Sequence, residues 1–217
     1  PVVLDTTDYT LGTFTSLATD PISTLDDAVP LQEWDPRALA LGYGDEPAVM
    51  LSGSDDLTIV PTSGGPDPGV LAQLPDLADP SYDRHGWIWT GARQNAGELL
   101  AVRATGEIQP VAAEVLDGGE LLALRVSREG ARVAMVVDID GAIAVEVHAV
   151  VRDAAGVPQR LGQGVQVLPQ LVEASAVVWV DEQHLAVLGR SGTTTTVHLS
   201  PVGGRMQQLP TVPDAVD

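Results

Sequence analysis

The feature that most constrains this chain is a rhythm of short segments. Apolar or alternating runs of four to eight residues follow one another, each cut off by Gly, Pro, Asp or Ser. Runs of that length are shorter than ordinary helices and match strands that are buried on one or both faces. Strands are predicted over 39–43, 48–51, 57–60, 87–90, 99–103, 121–126, 133–137, 142–151, 177–180, 185–188 and 194–199. Between them lie the turn clusters Gly53-Ser54-Asp55-Asp56, Gly64-Gly65-Pro66-Asp67, Asp117-Gly118-Gly119 and Gly203-Gly204. Asp140-Gly141, set between Val136-Val137-Asp138 and Ala142-Ile143-Ala144, has the residues that a type I′ hairpin turn requires. The one competing helical pattern, 111–116, is too short to stand against this background. The chain is expected to be all-β.

The strands also recur as units. Gly86, in the stretch Ser81-Tyr82-Asp83-Arg84-His85-Gly86-Trp87-Ile88-Trp89, aligns with Gly130, in Ser127-Arg128-Glu129-Gly130-Ala131-Arg132-Val133-Ala134, at a spacing of 44 residues. A weaker third copy, Val178-Trp179-Val180-Asp181-Glu182-Gln183-His184-Leu185-Ala186-Val187, follows roughly 54 residues on. In each copy a strand ends, an acidic residue and a tight turn follow, and a new apolar strand starts. A period in the forties with about four short strands per unit is the signature of β-propeller blades. Such a blade buries its faces only against its neighbours, so radial repetition completes the core. The expectation is one propeller domain over 1–217, with strands and an irregular lead-in over 1–45 and repeated blades over 46–217. At that period the chain holds about four to five blades, and the sequence leaves closure of the ring open. A two-sheet sandwich is the alternative architecture.

Charge narrows the partners. Thirty acidic residues stand against eleven basic ones, for a net charge of −19. A field of that sign repels nucleic-acid phosphates and anionic headgroups, so neither nucleic acid nor direct membrane-surface binding is expected. Every basic residue is Arg, and no Lys occurs. With abundant Ala, Val and Gly, this points to a high-GC source. No run approaches the roughly 18 apolar residues of a spanning helix, and no charged-then-apolar export signal opens the sequence. The chain starts at Pro1 within what reads as folded sequence, so it is expected to be part of a longer protein. Cysteine is absent, which excludes disulfides, thiolate zinc sites and Cys nucleophiles within these residues.

Several motifs resemble sites of chemistry. Ser81-Tyr82-Asp83-Arg84-His85-Gly86-Trp87 nearly matches the sialidase Asp box, with one residue too many between Asp and Gly, and such boxes form turns away from active sites. Trp87 and Trp89, at i and i+2, share one face of a strand. Such a pair fills a blade interface more often than it forms a carbohydrate platform. The histidines His85, His148, His184 and His198 have no metal-ligand spacing, and Asp138-x-Asp140-Gly141 lacks the later oxygen ligands of a calcium loop. Gly162-x-Gly164 has no helix after it and is no nucleotide loop. No Gly-x-Ser-x-Gly elbow is present, and nothing singles out a carboxylate pair for glycoside hydrolysis. No catalytic, metal or cofactor residues are assigned.

The stretch Ser127–Ala134 is similar to the Ser-Pro-Asp-Gly-Lys-x-Ile-Ala turn of TolB-like propellers, where the Ser and acidic side chains bond turn amides and Gly takes a positive φ. Arg128 and Glu129 replace the Pro and Asp of that pattern. The ordered set formed by 80–90, 124–134, and 178–181 followed by 185–188 resembles the C-terminal propeller of the actinobacterial LpqB family of lipoproteins, over about 48–209 and best over 80–151. This resemblance implies a protein lipid-anchored on the outer face of the cytoplasmic membrane through residues outside this chain. It also implies a GerMN-type domain upstream, and modulation of the sensor histidine kinase of the MtrA–MtrB system through its extracytoplasmic part. The lipobox Cys and the GerMN segment are not in this sequence. The expected function is therefore non-enzymatic: an acidic propeller that docks a sensor-kinase ectodomain, with Tyr82, Arg84, His85 and Trp87 as contact candidates. A cell-wall glycan-binding or glycan-cleaving propeller is the alternative, and a scaffold for the upstream domain is a third reading.

Overall fold

The computed structural model describes residues 35–43, 46–60, 69–113, 116, 118–202 and the backbone of the strands at 2–5, 10–13, 26–30 and 207–208. Every regular element of it is a strand, and the strands run in sequence order into up-and-down antiparallel units. A three-stranded sheet comes first: β1 (Val2–Asp5), β2 (Thr10–Thr13) and β3 (Asp26–Pro30). A second unit contains β4 (Pro36–Ala40), β5 (Val49–Ser52), β6 (Asp56–Ile59) and β7 (Val70–Gln73). The third contains β8 (Ser81–Tyr82), β9 (Trp87–Gly91), β10 (Glu98–Arg103) and β11 (Ile108–Ala112). The fourth contains β12 (Glu120–Val126), β13 (Arg132–Ile139), β14 (Ala142–Arg152) and β15 (Pro158–Val167). The fifth contains β16 (Glu173–Trp179), β17 (His184–Ser191), β18 (Thr194–Pro201) and β19 (Gln207–Gln208). One parallel pairing, Ala112 with Arg160, joins the outer strands β11 and β15, so the third and fourth blades form a continuous eight-stranded sheet.

The core lies between blades, as radial stacking demands. Successive residues of a strand face opposite ways, and β9 and β13 bury both sets. Trp87 and Trp89 join Leu121, Leu124, Val133, Met135 and Val137 in the cluster between the third and fourth blades. Ile88 points the other way, to Val49, Leu51 and Leu57 of the second blade. Ala134 and Val136 likewise turn from that first cluster to meet Val177, Leu185 and Val187 of the fifth. A fully buried side chain of this size contributes about 1.5–3 kcal/mol, so each interface cements two blades.

The expected strands are present, with shifted ends. Asp140 and Gly141 have φ of 54° and 83°, the positive pair of a type I′ turn, and the Asp138 carboxylate accepts the Gly141 N–H at 2.7 Å. The helical competitor at 111–116 begins as strand instead, with Val111 and Ala112 in β11, while residues 114 and 115 lie outside the described residues. The inner strand of the second blade starts at Pro36, ahead of the expected blade start at 46. The longer spacing before the third repeat has a cause in β14 and β15, which are 11 and 10 residues long. Gly162 and Gly164 sit within β15. The turns expected at 64–67 and 203–204, and residue Asp117, lie outside the described residues.

Candidate functional site

The repeated motif builds one kind of turn, between the first and second strands of a blade. After β8, the fully buried Asp83 carboxylate accepts through Oδ1 from the backbone N–H of His85 at 2.9 Å and of Trp87 at 3.1 Å. After β12, Ser127 Oγ accepts from Arg132 N–H at 3.0 Å. After β16, Asp181 Oδ1 accepts from Gln183 N–H at 2.7 Å and His184 N–H at 2.8 Å. Gly86 and Gly130 both take positive φ, 77° and 72°. One expectation from the resemblance is corrected here. Glu129 does not bond turn amides: its Oε1 lies 3.4 Å from Arg132 Nη2, and its buried Oε2 has no partner among the described residues.

The turns of the third and fourth blades are locked together. Arg84 N–H donates to the Arg128 carbonyl at 2.8 Å, and His85 Nε2 lies 3.1 Å from the Glu129 carbonyl. Beneath them, Asp83 Oδ2 accepts from Trp89 Nε1 at 3.1 Å and from Arg152 Nη2 at 2.6 Å. The same Arg152 Nη2 donates to the Gly130 carbonyl at 2.8 Å. A Cβ on Gly130 would lie 2.7 Å from that nitrogen and 2.8 Å from Asp83 Oδ2, so the position demands glycine for space as well as for φ.

The four contact candidates divide. Arg84 and His85 are exposed, whereas Tyr82 and Trp87 are buried. Tyr82 donates its hydroxyl to the Pro47 carbonyl at 2.9 Å, and burial, with the Glu46 carboxylate second, pushes its phenol well above the usual range. Trp87 carries the Arg103 guanidinium 4.4 Å from its ring centroid and shows no surface to solvent. The tryptophan pair therefore fills the blade interface. His148 is buried between the Gly162 carbonyl and the Glu146 carboxylate, and His198 is buried on β18. His184 faces Asp181.

The inner strands β4, β8, β12 and β16 surround a cavity of about 590 Å³ that opens beside these turns. Its rim carries apolar side chains in water: Leu41, Tyr43, Val178 and Val180 are all exposed, the last by 59%. Sequence reasoning missed this rim, because no single run announces it and it forms only when strands from separate blades converge. Arg128 spreads over the Tyr43 ring at 5.4 Å. Arg125 is turned aside to Asp79 at 3.7 Å. On the fifth-blade side, Asp181 and Glu182 line the wall. The Asp181 carboxyl is held below the usual carboxylate range, first by the Gln183 N–H and then by His184. Ser81 and Ser127 are engaged as acceptors for the backbone N–H groups of Val126 and Arg132. What the mouth offers a ligand is apolar surface edged by charge.

Comparison with known proteins places this geometry. A solved mycobacterial structure, described as a Mycobacterium tuberculosis puromycin-hydrolyzing peptidase, superposes with a TM-score of 0.60 at 20% identity, covering 81% of this chain and 30% of that one. Kluyveromyces lactis Hsv2p superposes at 0.55 and 19% identity, covering 93% and 58%. At such identities the likeness concerns the fold alone. Lipoprotein LpqB of Streptomyces avermitilis is 32% identical over 120 residues, and that of Streptomyces coelicolor is 34% identical over 124. Each alignment covers 52% of this chain and 19% of the relative, so the match spans about a fifth of the relatives' length. The family model described as the Lipoprotein LpqB beta-propeller domain matches residues 12–217. The chain belongs to the LpqB lipoprotein β-propeller family.

Proposed function

We propose that this chain is a non-catalytic, extracytoplasmic binding module, carried on a lipid-anchored protein, that docks and modulates the ectodomain of a two-component sensor histidine kinase. The observation that carries the reading is the rim: four exposed apolar side chains from two blades converge on one cavity mouth and are edged by charged groups. An apolar centre with a charged surround is the composition of a protein-recognition surface. Family membership supports the lipoprotein setting. The glycan-binding alternative loses its motivating feature, since Trp87 and Trp89 are fully buried.

The test is calorimetric titration of this chain with the purified kinase ectodomain at about 50 and about 300 mM salt. Saturable binding that weakens at the higher salt is expected for a contact edged by charges. Binding that is absent at both concentrations refutes the docking role.

A further inference from the structure

The rim is divided by charge: Arg128 lines one side of the cavity, with Arg84 on the adjoining turn, and Asp181 and Glu182 line the other. Only 11 basic residues face 30 acidic ones. Of the ten described arginines, six pair with one: Arg93, Arg103, Arg125, Arg132, Arg152 and Arg190. Arg37, Arg84, Arg128 and Arg160 do not, and all four are exposed; Arg84 and Arg128 are the two whose backbones are one hydrogen bond apart, N–H to carbonyl at 2.8 Å. They occupy the same place in successive repeats, two residues before Gly86 and Gly130. The fifth blade puts Glu182 at that place. The turn bonds beneath them use backbone groups, Asp83 and Ser127, and neither guanidinium.

Resting on the docking role just proposed, we infer that Arg84 and Arg128 form a cradle for a carboxylate-bearing segment of the docked protein, whose apolar neighbours seat against Leu41 and Tyr43. Two features support it. The scaffold is rigid where the stems start, since Arg84 N–H and His85 Nε2 tie one turn to the other and Arg152 ties both to Asp83. Arg128 is further spread on the Tyr43 ring, so its guanidinium stands beside apolar surface. Guanidinium groups match carboxylate geometry in pairs of parallel bonds. The surrounding −19 field disfavours extended polyanions and leaves an isolated acidic segment, flanked by neutral or basic residues, as the fitting occupant.

Two experiments decide it, and they fail separately. A short rhodamine-labelled peptide with one Glu set among Leu and neutral polar residues is titrated with the chain, beside analogues carrying Gln or Lys in place of that Glu. The Glu peptide is expected to bind best, with a loss of about tenfold or more in the Arg84→Glu/Arg128→Glu variant. Arg37→Glu, a change at another exposed arginine, is expected to leave binding alone. Arg84→Gln/Arg128→Gln replaces the reversal if circular dichroism shows the latter unfolded. Equal binding by parent and variant, no preference for Glu over Gln, or Arg-dependent binding to phosphatidylglycerol vesicles without binding to the Glu peptide overturns the carboxylate assignment. The kinase ectodomain is then titrated with the same variants. Binding that the double substitution leaves unchanged also overturns the cradle while the docking role stands. An ectodomain that fails to bind, beside a Glu peptide that binds through both arginines, sinks the docking role and keeps the cradle.

Discussion

Gly130 shows how much of this structure is decided at single atoms. Its φ of 72° alone makes any other residue costly, and a Cβ there would crowd both Arg152 and Asp83. Gly141, with φ of 83° and nothing within reach of an added Cβ, isolates the conformational part. Gly141→Ala is expected to cost about 1 kcal/mol and Gly130→Ala about 3 kcal/mol, strain and overpacking combined. Urea midpoints of the two variants measure the difference, and equal costs would mean that the Asp83–Arg152 pair yields freely. The same pair makes a second prediction. Asp83 is fully buried, so Asp83→Asn leaves the Arg152 guanidinium without its counter-charge and is expected to cost about 3 kcal/mol. Adding Arg152→Leu to that variant should restore part of the loss, a coupling that a double-mutant cycle reads directly. The Gly was legible in the sequence as a repeat position. Its crowding by a residue 22 positions later was not, because only the packed neighbour reveals it.

At the scale of strands and turns, what the sequence hid follows from exposure. The strands absent from the sequence prediction include β7, β11 and β15, the fourth strands of the second, third and fourth blades. Their burial alternates irregularly, as in β11, where Val111 alone is buried, so no apolar run marks them. Strands in the middle of a blade such as β13, buried from Val133 to Val137, announce themselves. The rim was hidden for a related reason: Leu41 and Val180 come from blades far apart in sequence, and exposed apolar residues look ordinary in a linear reading. The turns also set an acid response. Asp181, held low by Gln183 N–H and His184, and Glu173, held low chiefly by its hydrogen bond from Arg190, both have depressed folded pKa values. A depressed carboxylate stabilises the fold above its unfolded value, and that contribution fades as pH falls through the folded one. The window lies below about pH 4. Asp181→Asn should narrow the gap between urea midpoints measured at pH 7 and near pH 3. An unchanged gap would show that this turn carries none of the acid sensitivity.

For the whole molecule, salt is expected to act with opposite signs on stability and on binding. A net charge of −19 spread over a folded chain of this size repels itself, and unfolding relieves that repulsion. Opposing it are ion pairs that mostly lie partly exposed, such as Arg93 with Asp79 at 3.0 Å and Arg103 with Glu107 at 3.4 Å, each worth at most about 1 kcal/mol. The Asp83–Arg152 pair is buried and screened less. Raising NaCl shrinks the screening length from about 10 Å at 0.1 M to about 3 Å at 1 M, which removes long-range repulsion more than it weakens contacts at 3 Å. The melting temperature should therefore rise with NaCl, while affinity for an acidic segment at Arg84 and Arg128 falls. Thermal melts and peptide titrations on the same preparation read the two slopes together. A melting temperature that falls with salt would assign the net electrostatic contribution to the ion pairs. An affinity indifferent to salt would leave the apolar rim as the whole of the contact.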